Sequence, residues 1–405
     1  MNENLSKAKQ AKNDEFYTQY SDIEAEMNAY VEYNPDVFRG KTILLPCDDP
    51  EWSNFTKYFA TNFQRFGLKK LISTSYAPGA GNEQLTLFEA MSPLYDAKKH
   101  ETRGKLFTLT HDTDGSGNID TDDIEFSCYL EGDGDFRSEE LRKLRDKADI
   151  IITNPPFSLF REFLAWIMDG KKQFIIMGNK NAITYKEVFP LLKDNTIWVG
   201  YTPMGKDLLF DLPNDIQQKM LKSKKMGSAY RVVDGKVMGR SQSNWFTNVE
   251  HGKRHEQLQL DTMEHNLKFN KKLKKEFAKT GLLSYAHYDN CNALEVPFVE
   301  GIPADEDGMM GVPITFLDRY CPEQFEILGL DYDKSIPSNK GLCRKFVDLY
   351  YSQGNTGSIC EGHPSLGFYN SEGKVFRTYR RILIRYTQQW KNTHPEIFRK
   401  GVNAQ

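Results

Sequence analysis

The chain has 405 residues, of which 39 % are hydrophobic and 27 % charged, and these proportions exclude a disordered or fibrous protein. This length predicts two or three domains. No apolar run approaches the roughly 20 residues that cross a bilayer, and the amino-terminal residues do not resemble a signal peptide. The six cysteines are far apart and form no C-x-x-C pair, which favours free thiols. We therefore expect a cytoplasmic protein with no membrane partner.

The net charge of -3 hides an uneven distribution of charge. The window Asp112–Glu140 holds eleven acidic residues against one basic residue, a net charge of -10, so the rest of the chain carries +7. Two stretches, Leu267–Lys279 and Ser371–Gln405, are rich in Lys and Arg. A solvated face and a nucleic-acid surface explain such runs equally well at this point.

Strand and helix signals alternate along the first half of the chain. Helical spacing predicts helices near residues 21–33, 52–66, 138–147, 158–168 and 185–192. A capping box at Ser21 and a cap at Ser138 mark the start of two of them. Short apolar runs predict strands at residues 42–46, 71–76, 105–109, 124–130, 149–153, 173–178 and 196–200. Strands separated by helices form βαβ units, so we predict an α/β fold with a doubly wound, mostly parallel sheet. The pattern loosens near residue 250, which we take as a domain boundary.

The sharpest motif is Asn-Pro-Pro-Phe at residues 154–157, directly after the apolar run Asp149–Thr153. The motif therefore follows the carboxyl end of a predicted buried strand, which is the edge where open α/β sheets bind ligands. A rigid strand-to-helix turn, in which the prolines fix φ and Phe157 packs, is the plainer interpretation.

Methylation of a planar amine is the chemistry that would require this motif. An amino group conjugated to a ring is a poor nucleophile because its lone pair is delocalised. Acceptors at both N–H groups, the side-chain oxygen of Asn154 and the carbonyl of Pro155, would localise that lone pair. Phe157 offers a face on which a base flipped out of a duplex can stack, and positioning against a sulfonium methyl donor would supply most of the rate.

With these residues the sequence resembles the amino-methyltransferases that use S-adenosylmethionine, and in particular the EcoRI-type adenine-specific DNA methyltransferases. Three more segments are similar to the family: Asp14–Tyr20, Leu45–Pro50 and Gly132–Phe136. The last resembles the family's Asp-Phe element, in which the carboxylate accepts from the adenine amine of the cofactor and the ring packs on the cofactor. The loop at residues 46–50 is Pro-Cys-Asp-Asp-Pro, where most methyltransferases have a glycine-rich turn. The second predicted strand ends in hydroxyl residues, where an acid commonly binds the cofactor ribose.

The resemblance implies a Rossmann-like methyltransferase domain over residues 1–250 and an α+β target-recognition region over residues 251–405. It implies S-adenosylmethionine as cofactor and double-stranded DNA as partner, with the enzyme acting as a monomer and a cognate restriction endonuclease left open. The implied catalytic residues are Asn154, Pro155, Pro156 and Phe157. The implied cofactor-binding residues are Phe16, Tyr17, Thr18, Pro46, Cys47, Asp48, Asp135 and Phe136.

The expected DNA-binding residues are drawn from a further segment similar to the family and from the two basic stretches. They are Trp245, Phe246, Lys271, Lys272, Arg380 and Arg381. For Trp245 and Phe246, packing in the core is an equal alternative to bordering the flipped base. Two other functions stay open: methylation of RNA or of a protein glutamine by the same fold, and a catalytically silent DNA- or calcium-binding module.

The silent-module interpretation depends on the acidic segment Asp112–Asp123, which matches a calcium-binding loop at seven of its positions. Predicted strands flank this segment, whereas such a loop lies between two helices. A tight acidic hairpin is the simpler interpretation, and we therefore predict no metal site.

Overall fold

The computed structural model describes residues 18–50, 53–77, 92–211, 217, 230–333, 335–336 and 338–398. The chain divides into two compact units, which are described separately. The first unit comprises the residues up to Phe189 together with residues 197–252, and the second comprises residues 190–196 and those from Lys253 onward. Among the described helices, none is both long and apolar enough to cross a membrane.

The predicted elements of the first half of the chain are largely confirmed. The helices are Tyr20–Tyr33 (α1), Asn54–Thr61 (α2), Phe63–Phe66 (α3), Ala97–Thr102 (α4), Glu139–Lys147 (α5), Phe160–Asp169 (α6) and Phe189–Lys193 (α7), with 3-10 turns at Thr121–Asp123, Phe157–Leu159 and Lys180–Thr184. The strands are Thr42–Leu45 (β1), Lys70–Ser75 (β2), Lys105–Leu109 (β3), Glu125–Tyr129 (β4), Ile150–Thr153 (β5), Gln173–Asn179 (β6), Trp198–Val199 (β7), Leu208–Asp211 (β8), Tyr230–Val233 (β9), Lys236–Ser241 (β10) and Ser243–Thr247 (β11).

Local sequence explains most of the helix ends. Ser138 caps α5 as predicted, and Ser53 caps α2 by accepting hydrogen bonds from two backbone N–H groups. The single helix predicted over residues 52–66 is interrupted at Asn62, and it ends at Gly67, whose φ of 61° suits a residue without a Cβ. The capping box predicted at Ser21 was wrong, because α1 begins one residue earlier and has no side-chain cap.

Eight strands form the main sheet in the order β4-β3-β2-β1-β5-β6-β11-β7. The predicted parallel sheet is present as β2, β1, β5 and β6. Strand β3 runs antiparallel to both its neighbours, and β11 inserts antiparallel between β6 and β7. The chain order reverses between β1 and β5, since β2 lies beside β1 on one side and β5 on the other.

The core of the first unit is continuous from the sheet to α1 and α2. Ile43 and Leu45 of β1 and Ile150 and Ile152 of β5 share one buried cluster with the apolar faces of these helices. Residues two apart in a strand face the same side of a sheet, so these four side chains fix which face α1 and α2 cover. Strands β8, β10 and β9 form a separate antiparallel sheet.

Helix α1 also holds the turn after β7 through one buried acid. Glu26 accepts hydrogen bonds from the backbone N–H groups of Tyr201 (2.7 Å) and Thr202 (2.8 Å) and from the hydroxyl of Tyr30 (3.0 Å). Burial raises the pKa of Glu26 above its ordinary value. Gly200 precedes this turn, and a Cβ there would overlap the Glu26 carboxyl group and lie 2.5 Å from Cβ of Trp245.

The second unit is an α+β arrangement. Its helices are Met263–Phe269 (α8), Lys271–Thr280 (α9), Arg344–Ser352 (α10), Gln388–Thr393 (α11) and Pro395–Phe398 (α12), with 3-10 turns at Val299–Gly301 and Ile314–Arg319. Its strands are Leu294–Glu295 (β12), Met310–Pro313 (β13), Phe325–Leu330 (β14), Gly367–Tyr369 (β15), Val375–Arg377 (β16) and Arg381–Tyr386 (β17). The sheet order is β12-β13-β17-β14, and β15 pairs with β16 as a hairpin.

Arg381 is largely enclosed in this unit, which corrects its prediction as a DNA contact. Its guanidinium donates two hydrogen bonds to Glu295, at 2.6 and 3.1 Å, and its side chain is 12 % exposed. The hydroxyl of Tyr288 donates to the same carboxylate. The donors that would bind a phosphate are therefore engaged in joining β17 to β12.

We expect Gly200→Ala to destabilise the first unit by about 1–3 kcal/mol, because an added methyl group must displace the Glu26 carboxyl group or the Trp245 side chain. Denaturant unfolding measures the change. Gly205→Ala is the matched control, since a Cβ at that position meets no atom within 4 Å. Equal stability of the two variants would contradict the packing at Gly200.

We expect Arg381→Ala to destabilise the second unit by about 3–5 kcal/mol, because the buried Glu295 carboxylate would lose its cation. Arg385→Ala on the same strand is the control: Arg385 and Glu326 are 50 % and 46 % exposed, so solvent screens their pair and the loss is at most about 1 kcal/mol. Thermal unfolding compares the two variants. Weaker DNA binding by Arg381→Ala at unchanged stability would restore Arg381 as a DNA contact.

Candidate active site and basic surface

The chain order reverses between β1 and β5, and at the carboxyl ends of two such strands an open α/β sheet forms a crevice. In open α/β sheets this is the place where ligands bind, because the connections leave the two strands towards opposite faces. Cys47 and Asp48 follow β1, and Asn154 follows β5. The fold thus brings a predicted cofactor loop and the predicted catalytic motif to one edge.

The turn after β1 lies where most methyltransferases have a glycine-rich turn, and its backbone conformation is supported in another way. Cys47 has a φ of 73°, in the left-handed region that favours glycine. Its backbone N–H donates to the hydroxyl of Thr74 on β2, at 3.3 Å, which supports that conformation. A cysteine therefore occupies the position where the backbone itself requires a positive φ.

Asp48 is buried, and its carboxyl group points into the protein. One carboxyl oxygen lies 2.6 Å from the hydroxyl of Thr153, and the other accepts from Ser53 at 2.7 Å. Its backbone carbonyl accepts from Thr56, at 3.2 Å, and from Ser73. Burial raises the pKa of Asp48 to about 7. The side chain predicted to bind cofactor is therefore engaged with the end of β5.

Asn154 is buried directly after β5, with only 5 % of its surface exposed. Its amide nitrogen donates to the hydroxyl of Thr18, at 3.3 Å, and that hydroxyl donates to the sulfur of Met177 on β6. The backbone carbonyl of Thr18 accepts from Asn54 at 2.8 Å. Thr18, a predicted cofactor residue, and Asn154 thus lie in contact, whereas Phe16 and Tyr17 lie outside the described residues.

The rest of the motif leads rigidly into α6. Pro155 is buried, while Pro156 and Phe157 are half-buried. The carbonyl of Pro156 accepts from the N–H of Leu159 at 2.9 Å, which begins the 3-10 turn before α6. Phe157 therefore keeps part of its surface accessible.

The loop after β4 also reaches this edge of the sheet. The carbonyl of Asp133 accepts from the N–H of Ala77 at 2.7 Å, just beyond β2. Gly134 has a φ of 91°, and a Cβ there would lie 2.6 Å from the carbonyl oxygen of Ser75, so the close approach requires glycine. Asp135 binds Arg137, and this hydrogen bond holds the pKa of Asp135 below its ordinary value.

Phe136 does not face a ligand, which corrects the expectation that its ring packs on the cofactor. The ring is fully buried, with centroids 5.0 Å from Phe163 and 5.8 Å from Trp166 on α6. It anchors the loop after β4 to the hydrophobic core. Within the predicted Asp-Phe element, only Asp135 remains partly accessible, with its side chain 22 % exposed.

Trp245 and Phe246 are also buried, so the packing alternative is correct for both. Neither has exposed surface. Trp245 contacts Phe55, with ring centroids 5.8 Å apart, and Phe246 contacts Phe160 at 5.1 Å. They lie on β11, whose insertion between two strands leaves their rings no access to a base.

Three hydroxyl residues at this edge were not among the predicted site residues. Thr153 links Asn154 to the turn after β1, and Ser53 binds Asp48 while it caps α2. The hydroxyl of Ser75 at the end of β2 is buried and has no hydrogen-bond partner among the residues that the structure describes. A hydroxyl directly before the Asn-Pro-Pro-Phe motif was the one local signal available for Thr153.

The acidic segment forms the predicted hairpin between β3 and β4. Its carboxylates bind backbone N–H groups: Asp123 accepts from Thr113 and Asp120, and Asp112 accepts from Gly115 and Gly117. Oxygens of Asp112, Asp114 and Asp123 come within 4.8 Å of one another. Strands, rather than the helices of a helix–loop–helix site, flank this loop.

The predicted basic contacts of the second unit differ in how accessible they are. Lys272 pairs with Glu300 at 3.2 Å and lies 4.1 Å from the ring centroid of Phe298. Arg380 is half-exposed and pairs with the buried Asp331 at 3.2 Å. Lys271 is exposed on α9, and no described carboxylate forms an ion pair with it. Lys271 is thus the most available cation among the predicted DNA contacts.

Comparison with known proteins agrees with this geometry. Residues 4–387 match the family model described as adenine-specific methyltransferase EcoRI. The type II methyltransferase M.EcoRI of Escherichia coli is 39 % identical over 352 residues, which are 85 % of this chain and 95 % of that protein. The type II methyltransferase M.MpnI of Mycoplasma pneumoniae is 32 % identical over 80 % of this chain and 84 % of its own length.

A third relative, the type II methyltransferase M.MgeORF184P of Mycoplasma genitalium, is 33 % identical over 80 % of this chain and 85 % of its own length. No solved structure matches the chain. None of the relatives supports the alternatives of an RNA or protein methyltransferase or a silent binding module. The crevice, its Asn-Pro-Pro-Phe motif and the family match over nearly the whole length lead to one conclusion: this chain belongs to the EcoRI family of adenine-specific methyltransferases, and it is a DNA methyltransferase.

Proposed function

We propose that this enzyme transfers a methyl group from S-adenosylmethionine to the N6 amine of an adenine flipped out of double-stranded DNA at a specific site. The observation that carries the proposal is the position of Asn154, buried at the reversal of chain order and beside the turn that Cys47 begins. Both groups that the chemistry needs, acceptors for the amine and a cradle for the methyl donor, then belong to one crevice.

The residues around the crevice fit S-adenosylmethionine, which supplies an electrophilic methyl group on a sulfonium when bound. The buried hydroxyl of Ser75, which lacks a partner in the described part of the chain, suits a ribose hydroxyl at the end of β2. The turn at Pro46, Cys47 and Asp48 would border the cofactor, and Asp135 offers a carboxylate for an adenine amine. Thr18 would border the methionine end.

Asn154 and Pro155 would activate the target amine by accepting its two hydrogens. The amide nitrogen of Asn154 donates to Thr18, which orients the amide, and its oxygen would be the acceptor for the substrate amine. The proline at 155 stiffens the backbone whose carbonyl is the second acceptor. Because both acceptors are fixed before the base arrives, they need no reorganisation during transfer. The half-buried ring of Phe157 would stack on the base and offset part of the cost of flipping it.

The same proposal assigns catalysis to residues 1–250 and DNA recognition to residues 251–405. Support for the second part comes from α9, where Lys271 and Lys275 are exposed and four residues apart, so they lie on one side of the helix. Contacts of this kind bind phosphates and supply affinity rather than sequence preference. We also propose that the enzyme acts as a monomer and that it is paired with a cognate restriction endonuclease. Both points depend on the family resemblance alone.

Acceptor choice is tested first, because it distinguishes the proposal from methylation of RNA or protein. The enzyme is incubated with labelled S-adenosylmethionine and with DNA, RNA and a protein extract, and the acceptors are then separated. We expect label in DNA only, and sequencing of the methylated DNA would give the site. Label confined to RNA or protein would overturn the proposed substrate.

We expect Asn154→Ala to reduce the single-turnover methylation rate by about 10²-fold to 10³-fold, the usual effect of removing one preorganised hydrogen-bonding group. Calorimetry should show that it still binds S-adenosylmethionine, because the rest of the crevice is intact. Asn179→Ala is the matched control: Asn179 ends the neighbouring strand β6, and its side chain caps the turn at Asn181. Equal rates for the two variants would contradict the role of Asn154.

We expect replacement of both Lys271 and Lys275 by Ala to weaken DNA binding at every sequence. The slope of log K against log salt concentration should fall by about 2, since each phosphate contact contributes about 0.9. Lys279→Ala is the control on the same helix, because Lys279 already pairs with Glu276 at 2.7 Å. A slope equal to that of the control would exclude this face of α9 from the DNA interface.

A further inference from the structure

The hydrogen bonds around Thr153 do not balance if Asp48 is ionised. The Thr153 hydroxyl lies 2.8 Å from the carbonyl oxygen of Pro46 and 2.6 Å from a carboxyl oxygen of Asp48. Both neighbours are acceptors in that case, but a hydroxyl has one hydrogen to donate. Thr153 is fully buried and Asp48 is 6 % exposed, so solvent does not satisfy the second acceptor. An unmet acceptor in such a place costs about 1–3 kcal/mol.

A proton on Asp48 resolves the imbalance. The carboxylic acid then donates to the Thr153 oxygen, and the Thr153 hydroxyl donates to the Pro46 carbonyl. The other carboxyl oxygen still accepts from Ser53 at 2.7 Å. Every hydrogen and every acceptor in this buried chain has a partner, and the chain runs from the turn after β1 to the last residue of β5.

We propose that Asp48 is a positioning residue which, as a neutral carboxylic acid, clamps the turn after β1 to the strand end that carries Asn154. The inference rests on the proposed function, because it links the turn assigned to the cofactor with the residue assigned to the amine. Asp48 acts through Thr153, whose backbone leads directly into Asn154. The clamp thus sets the position of the amine acceptor relative to the cofactor turn.

The surroundings of Asp48 favour the neutral form. Burial is the main cause, and it outweighs the hydroxyls of Ser53 and Thr153, whose hydrogen bonds to the carboxyl group act in the opposite direction. The hydroxyls of Thr56 and Ser73 bind the backbone carbonyl of Asp48 instead. Among the residues that the structure describes, the charged group acting on it is Asp49 of the same turn, and a like charge also favours protonation. Burial raises the pKa of Asp48 to about 7, in agreement with the hydrogen-bond balance.

A neutral Asp48 gives the folded protein a distinct dependence on pH. In the unfolded chain this carboxyl group loses its proton near its ordinary pKa of about 3.9. Between that pH and about 7 the folded protein holds one proton that the unfolded chain has released. Stability from this group is therefore full below about pH 4 and falls as pH rises, by up to about tenfold in the unfolding constant per pH unit.

The proton is tested with Asp48→Asn, which cannot titrate but can donate to Thr153 and accept from Ser53. We expect the melting temperature of Asp48→Asn minus that of the wild type to increase as the pH rises from 5 to 7.5. The infrared difference spectrum of wild type minus Asp48→Asn at pH 6 should contain the carbonyl band of a protonated carboxyl group. A pH-independent difference in melting temperature, or a carboxylate band instead, would overturn the neutral clamp.

The positioning role is tested by single-turnover rates and by calorimetric titration with S-adenosylmethionine. We expect Asp48→Ala and Thr153→Val each to lower the transfer rate by at least about tenfold, an effect expected of a small misplacement of a reacting group. The dissociation constant of S-adenosylmethionine should change less than the rate. Asp48→Asn and Thr153→Ser should each recover most of the lost rate, because they restore the hydrogen bonds.

The opposite pattern would overturn this role. A tenfold weaker binding of S-adenosylmethionine by Asp48→Asn, with no recovery of rate, would make the Asp48 charge a direct cofactor ligand. Failure of the proposed function is distinguishable, because a wild-type enzyme that methylates no DNA refutes that proposal while the melting and infrared measurements still decide whether Asp48 is neutral.

Discussion

The hydroxyl of Thr153 joins two parts of the sheet that lie 107 residues apart in the chain, where it approaches the carbonyl of Pro46. It does so at the reversal of chain order between β1 and β5, where an α/β sheet opens a crevice. Because Asn154 is the next residue, the position of its amide follows from how the end of β5 is held. Thr18 holds that amide from its other side.

Two loops around this contact need unusual backbone geometry, and different residue types provide it in each. After β1 the positive φ falls on Cys47, with support from a Thr74 hydroxyl on the next strand. After β4 the close approach to Ser75 is possible only because residue 134 is glycine. A glycine-rich turn is thus one solution to a requirement of the backbone, and its absence after β1 does not prevent the same geometry.

Charge in the second unit has to be judged by its partners rather than by counting. Arg381 belongs to a basic run in the sequence, yet its guanidinium forms an ion pair with Glu295 inside the fold. Lys271 and Lys275 belong to another basic run and are exposed on α9. Only cations of the second kind can displace counterions from a phosphate backbone, which is the source of salt-dependent binding to DNA.

The sequence by itself determined the order of most helices and strands up to β7, the chemistry of the Asn154 motif and its place at a strand end, because these depend on local periodicity and on neighbouring residues. Only the tertiary structure decided that β11 inserts antiparallel, that Phe136 and Trp245 are core residues and that Asp48 turns towards Thr153. Those outcomes depend on which residues meet across long separations in the chain. An aromatic or acidic residue is compatible with a core or a binding surface until its packing partners are fixed.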